Sequence, residues 1–181
     1  MALYGKSLDP ITLIDNSIRV SLGTDWSPSG SFNMFEEMRC AKTYSAAKSS
    51  RPVADKNLWA MSTINSAYAL GLADKVGVID IGNYADIIVV SDPDSKGFDN
   101  FSQKKPDDVL AVFVGGELLA GEQGKFLNGT MEKTCLTTYE NKFICIDFEK
   151  DYQQTFEKIF AKNTKSVDLL AVDGQAKCEF P

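Results

Sequence analysis

Residues 59–94 read WAMSTINSAYALGLADKVGVIDIGNYADIIVVSDPD, and the change of pattern inside this stretch decides the fold. Up to Gly71 the spacing is helical: Leu58, Met61, Ile64 and Tyr68 fall on one face, Asp55 stands where a cap belongs, and Gly71 falls at the expected stop. From residue 72 the chain is punctuated by Gly77 and Gly82 and runs into Ile87-Ile88-Val89-Val90, a strongly β-prone run. A helical region therefore hands over to a β-rich one near residue 74.

Upstream, Asp9-Pro10 makes a good helix start, with Asp as the cap and Pro at the first helical position. ITLIDNS is a short helix, and Ile18 to Leu22 is apolar and β-branched enough to read as a buried strand. The loop TDWSPSGSF follows. Asn33 and Glu36 then form an N-cap and its partner three residues on, before a helix carrying Met34, Met38, Ala41 and Ser45 on one face. Downstream, residues 93–106 read as a polar loop, and VLAVFVGGELLAGE as two β arms around a Gly115-Gly116 turn. KFICIDF and SVDLLAV are strand candidates, with a helix at DYQQTFEKIFAK between them.

The 181 residues carry a net charge of −6 and no histidine. That balance argues against a sequence-independent grip on nucleic acid and against anchoring on anionic lipid. No apolar run approaches the ~20 residues that span a bilayer. The start MALYGKSLDP lacks the pattern of a signal peptide, so a cytoplasmic location is expected. The four cysteines, at 40, 135, 145 and 178, include no CxxC pair and are expected to be free thiols. Without histidine, no Ser-His-Asp or Cys-His arrangement exists.

VSLGTDWSPSGSFNMFEEMRCA, the 59–94 stretch and VLAVFVGGELLAGE occur in an order that resembles the carboxyl-terminal portion of the amidohydrolase superfamily, over roughly residues 3–122. The resemblance implies a mixed α/β chain: the C-terminal remnant of a (β/α)8 metal-dependent hydrolase barrel plus part of a composite β-sandwich. Residues 1–74 would be the barrel's end, with Ile18 to Gly23 as its eighth strand. Residues 75–122 would be a sandwich segment, and 123–181 an unassigned C-terminal extension. Asp25 would stand just past strand eight, binding or adjoining the catalytic metal and taking a proton from the attacking water. The implied reaction is hydrolysis of a non-peptide C–N bond in a small molecule: an amide, a cyclic amide or an amino-heterocycle.

The family's metal, zinc or iron in the parent enzyme, is held by histidines that this chain does not contain. A barrel also needs about 250 residues. The chain alone is therefore expected to bind no metal and to be inactive without the missing N-terminal barrel segment. Its unpaired strand edges would favour a homodimer or poor solubility. The alternative is a non-catalytic binding or assembly domain derived from the same fold.

Plainer readings stand beside these. Asp25 could simply cap the following loop through its own side chain. Thr24 and Ser27 could touch a substrate or merely hydrogen-bond within the loop, and Trp26 could line a pocket or pack at the rim. Glu36 and Glu37 point in different directions on a helix and read as a cap and a solvated residue. Lys104-Lys105 reads as solvated surface.

Overall fold

The computed structural model describes residues 7–25, 30–126, 135–137 and 142–145. Four helices come first: α1 (Pro10–Asp15), α2 (Met34–Ser49), α3 (Asp55–Ser62) and α4 (Ile64–Ala69). Strand β1 (Ile87–Val90) follows, then 3-10 turns at Gly97–Gln103 and Pro106–Asp108, then β2 (Val109–Val114), β3 (Glu117–Glu122), β4 (Cys135–Thr137) and β5 (Lys142–Cys145). The strands form one antiparallel sheet in the order β1-β2-β3-β5-β4. The chain is mixed α/β, helical first and β-rich after.

The helix starts are those the sequence specifies. Asp9 accepts from the Ile11 N–H at 3.1 Å to cap α1, and Asn33 accepts from the Glu36 N–H at 3.0 Å to cap α2. Gly71, at φ 71°, ends α4 in a left-handed residue, with Leu72 N–H on the Ala67 carbonyl and Gly71 N–H on that of Tyr68. The β2–β3 turn places Gly115 and Gly116 at φ 59° and 87°, the double left-handed conformation that two-residue hairpins require. Asp86 receives the Gly115 N–H at 2.7 Å, tying this turn to the foot of β1.

The core gathers Ile11, Phe35, Met38, Leu58, Met61 and Phe101 from α1, α2, α3 and the first 3-10 turn, with Val53 from the α2–α3 connection. Phe101 lies between Phe35, at 5.6 Å, and Trp59, at 4.5 Å and edge-on. Under it runs a polar network. Lys42 Nζ donates to Asp55 Oδ1 at 2.7 Å and to Ser102 Oγ at 3.3 Å, and Arg39 donates to the Ser102 and Lys104 carbonyls. On the sheet, Ala111, Gly121 and Phe143 form one buried row; a Cβ on Gly121 would stand 3.1 Å from the Phe143 ring.

Several expectations are corrected. Ile18 to Leu22 forms no strand, because a strand needs a paired neighbour and none of the described strands lies beside it. The helix expected over residues 57–71 breaks at Thr63, where Ser62 and Thr63 hydroxyls donate to the Leu58 and Trp59 carbonyls and compete with the helical ladder. Asp55 does not cap α3; it is the first helical residue and turns to Lys42, with Ala54 at the cap. The polar 93–106 loop is largely a 3-10 turn.

Lys104 is not solvated. It is buried, with Nζ on the Ser91 carbonyl at 2.7 Å and on Asp92. Glu37 accepts from the Ser31 hydroxyl at 2.7 Å rather than facing solvent alone.

The cysteines are not free either. Cys135 and Cys145 face each other across β4 and β5 and are disulfide-bonded, as is Cys40. Their separation of 10 residues suits two antiparallel strands joined by a short connection, a pairing that spacing alone did not reveal. Strand β5 falls within the expected KFICIDF strand. The SVDLLAV strand and the helix before it lie outside the described residues.

Candidate functional site

The break at Thr63 positions the segment that carries Asp25. Interrupting the helical ladder leaves the Met61 carbonyl able to accept the Leu22 N–H at 3.1 Å, and Asn65 Nδ2 reaches the Val20 carbonyl at 2.9 Å. Residues 18–25 are thus laid along α3 and α4. Their burial alternates as in a strand: Val20, Leu22 and Thr24 are half-buried, while Arg19, Ser21, Gly23 and Asp25 are exposed. Arg19 folds back over the Tyr68 ring, with its guanidinium carbon 3.6 Å from the ring centroid.

Asp25 ends this segment in the left-handed region, at φ 56°. Aspartate tolerates that conformation better than most residues, at a cost of about 1–2 kcal/mol. Among the described residues its carboxylate has no hydrogen-bond partner, and the loop that an Asx-type cap would engage lies outside them. Beyond the loop the chain is pinned again, where Phe32 N–H donates to Glu36 Oε2 at 2.9 Å and Ser31 donates to Glu37. Trp26 and Ser27, the expected substrate contacts, lie outside the described residues. Thr24 is half-buried in the Asp25 segment.

A groove of about 300 Å³ runs beside the segment, lined by Ile14, Ile18, Val20, Met61, Arg19 and Asn65 among others. Nothing in the sequence marked Arg19 or Asn65 as organising residues. Their one signal is a polar or charged side chain within an otherwise apolar pattern.

The arrangement offers one exposed carboxylate at the end of a strand-like segment. Among the described residues, no three His, Cys, Asp or Glu side chains come together as a metal site. With no histidine in the whole chain, the donors do not fit the metal centre that the family resemblance implies, for which three protein ligands are the usual minimum. Among the described residues, no helix is long and apolar enough to cross a membrane.

Comparison with known proteins places the chain. The amidohydrolase family's sequence model matches residues 6–119. A 5-methylthioadenosine/S-adenosylhomocysteine deaminase of Teredinibacter turnerae is 32% identical over 93 residues, 50% of this chain and 21% of that protein. An imidazolonepropionase of Thermoplasma acidophilum is 41% identical over 125 residues, 68% of this chain and 28% of that one. Among solved structures, an adenosine deaminase from Xanthomonas campestris with bound zinc superposes with TM-score 0.57 at 23% identity, over 61% of this chain and 27% of that one. The chain therefore spans under a third of the length of the relatives it matches. It belongs to the amidohydrolase family.

Proposed function

We propose that this amidohydrolase-family chain contributes the proton-accepting carboxylate, Asp25, to hydrolysis of a non-peptide C–N bond in a small molecule. The observation that carries the reading is Asp25 itself: exposed, unpartnered among the described residues, and held at the end of a strand-like segment inside the region the family model matches. Active carboxylates of barrel enzymes occupy such strand ends. Relatives named as deaminases and as imidazolonepropionase support C–N hydrolysis as the chemistry.

In the reaction, water adds through oxygen to the carbon of an amide, cyclic amide or amino-heterocycle, and its proton passes to the Asp25 carboxylate. The same proton then goes to the departing nitrogen as the C–N bond breaks. A divalent metal in the complete site would raise the acidity of that water. The histidines that would hold it are not on this chain, so catalysis requires polypeptide beyond these residues.

The test is a chimera in which this chain replaces the matching 28% of the Thermoplasma imidazolonepropionase. Hydrolysis of imidazolonepropionate well above the uncatalysed rate supports the reading. A folded, metal-loaded chimera without activity overturns it.

A further inference from the structure

Strands β1 and β2 lie within the residues that the family model matches, whereas β4 and β5 lie beyond them. Strand β5 is fastened to the sheet in two ways. Fully buried Phe143 pairs with Gly121 of β3 and fills the space that a Cβ there would need. Lys142 donates from Nζ to the Pro106, Asp107 and Val109 carbonyls at 3.2, 2.6 and 2.9 Å, gripping the entry to β2. Strand β4 has a weaker hold. It is three residues long, ends the sheet, and among the described strands pairs with β5 alone. Three residue pairs at a sheet edge return too little to offset the entropy of ordering the chain there. The Cys135–Cys145 disulfide joins the pair farthest from the residues that connect the two strands, the end at which a hairpin frays first.

We propose that this disulfide is a reducible latch: a small thiol of the glutathione class opens it, β4 leaves the sheet, and β5 stays docked. A thiolate attacks the sulfur of Cys145, the less buried of the two residues, forming a mixed disulfide as the bond to Cys135 breaks. Cys135 leaves as a thiolate and takes a proton from solvent. A second thiolate then attacks the small-molecule sulfur of the mixed disulfide and frees the Cys145 thiolate, which is protonated in turn. The protein disulfide gains two electrons, and two small thiols become one small disulfide. Reduction thus bares the outer edge of β5, which β4 covers in the oxidised chain.

The test is backbone amide exchange of the full chain, oxidised and after treatment with reduced glutathione, with mass spectrometry of alkylated peptides to show which cysteines have opened. On reduction the protected β4 amides should exchange about 10–100-fold faster, the effect of releasing a short closed loop. Those of β2 and β3 should stay within about twofold. Cys40 is also disulfide-bonded, so a second arm opens the latch without reductant. The double variant Cys135→Ser with Cys145→Ser should show the same fast β4 exchange while Cys40 remains oxidised, and glutathione should add no further change in β4.

Equal β4 exchange in the oxidised and reduced chains overturns the proposal, since the three residue pairs would then hold without the bond. So does faster exchange throughout β1, β2 and β3, which would make the disulfide a staple of the whole sheet. A Cys135–Cys145 bond that glutathione opens only after the chain is unfolded overturns it as well.

Discussion

Replacing Lys42 by methionine removes the charge beneath the aromatic core while keeping most of the side chain's volume. In the native chain its Nζ lies 2.7 Å from Asp55 Oδ1, and the two side chains are 30% and 2% exposed. Asp55 Oδ2 already has no hydrogen-bond partner, so Lys42→Met leaves a buried carboxylate with neither oxygen paired by a side chain. Breaking a buried pair from one side costs about 3–5 kcal/mol; the partial exposure of Lys42 admits water and puts the expectation near the lower end, about 3 kcal/mol. At roughly 2–4 °C per kcal/mol for a chain of this size, Tm falls by about 6–12 °C. Removing both charges, as Lys42→Met with Asp55→Leu, should return the chain to within about 1 kcal/mol of native, since two apolar groups replace two desolvated ones. Urea unfolding followed by tryptophan fluorescence reads this directly, because Trp59 packs against Phe101 one residue from Ser102. A Lys42→Met cost under about 1 kcal/mol, or a double variant that costs as much as the two singles added, would refute a buried, mutually dependent pair.

The sheet, the disulfide and the depressed carboxylates each have a measurable consequence. Gly121→Ala pushes a methyl to 3.1 Å from both the Phe143 ring and the Leu110 carbonyl and should cost about 1–3 kcal/mol, less in a Phe143→Leu background, as a double-mutant cycle in thermal unfolding would show. Replacing Cys135 and Cys145 by serine opens a 10-residue loop and should destabilise by about 2–3 kcal/mol, measured by urea unfolding without reductant. The Gly97 N–H, joined by Lys104, holds the Asp92 carboxyl below its usual range against the opposing effect of burial. At Asp9, burial pushes upward but is outweighed by hydrogen bonds from Ser49, Thr12 and Ile11. Depressed carboxylates add stability above their unfolded pKa of about 3.9 and lose it as pH falls through the folded values, so the urea midpoint should drop below about pH 4, and less steeply in Asp92→Asn.

Local chemistry was readable in the sequence; pairing at a distance was not. Asp9, Asn33 and Gly71 announced their helix ends because caps depend on residues a few positions away. Gly115-Gly116 announced its hairpin for the same reason. Ile18 to Leu22 reads as a strand by composition and is laid out like one, but whether it becomes a strand is decided by neighbours that its own residues do not encode. Lys104 looked like surface because nothing nearby in sequence shows that Ser91 and Asp92 close over it. The disulfide of Cys135 escaped for the same reason, since β4 is three residues long and has no pattern of its own. Of the candidate site, the ordered motifs set Asp25 just past an extended run, and it stands exposed at the end of the strand-like segment 18–25. The Met61 and Asn65 contacts that hold its segment depend on a helix break, which arises from hydroxyl competition that the apolar spacing conceals.

The central claim is that Asp25 takes the proton from the attacking water, and kcat of the chimera before and after the single change Asp25→Asn tests it most directly. Asparagine also tolerates the left-handed backbone at φ 56°, so folding should be preserved and the comparison reports chemistry. A loss of about 10²–10⁴-fold in kcat, with unfolding stability unchanged, is the predicted result. An Asp25→Asn chimera that turns over within a few-fold of its parent would contradict the account.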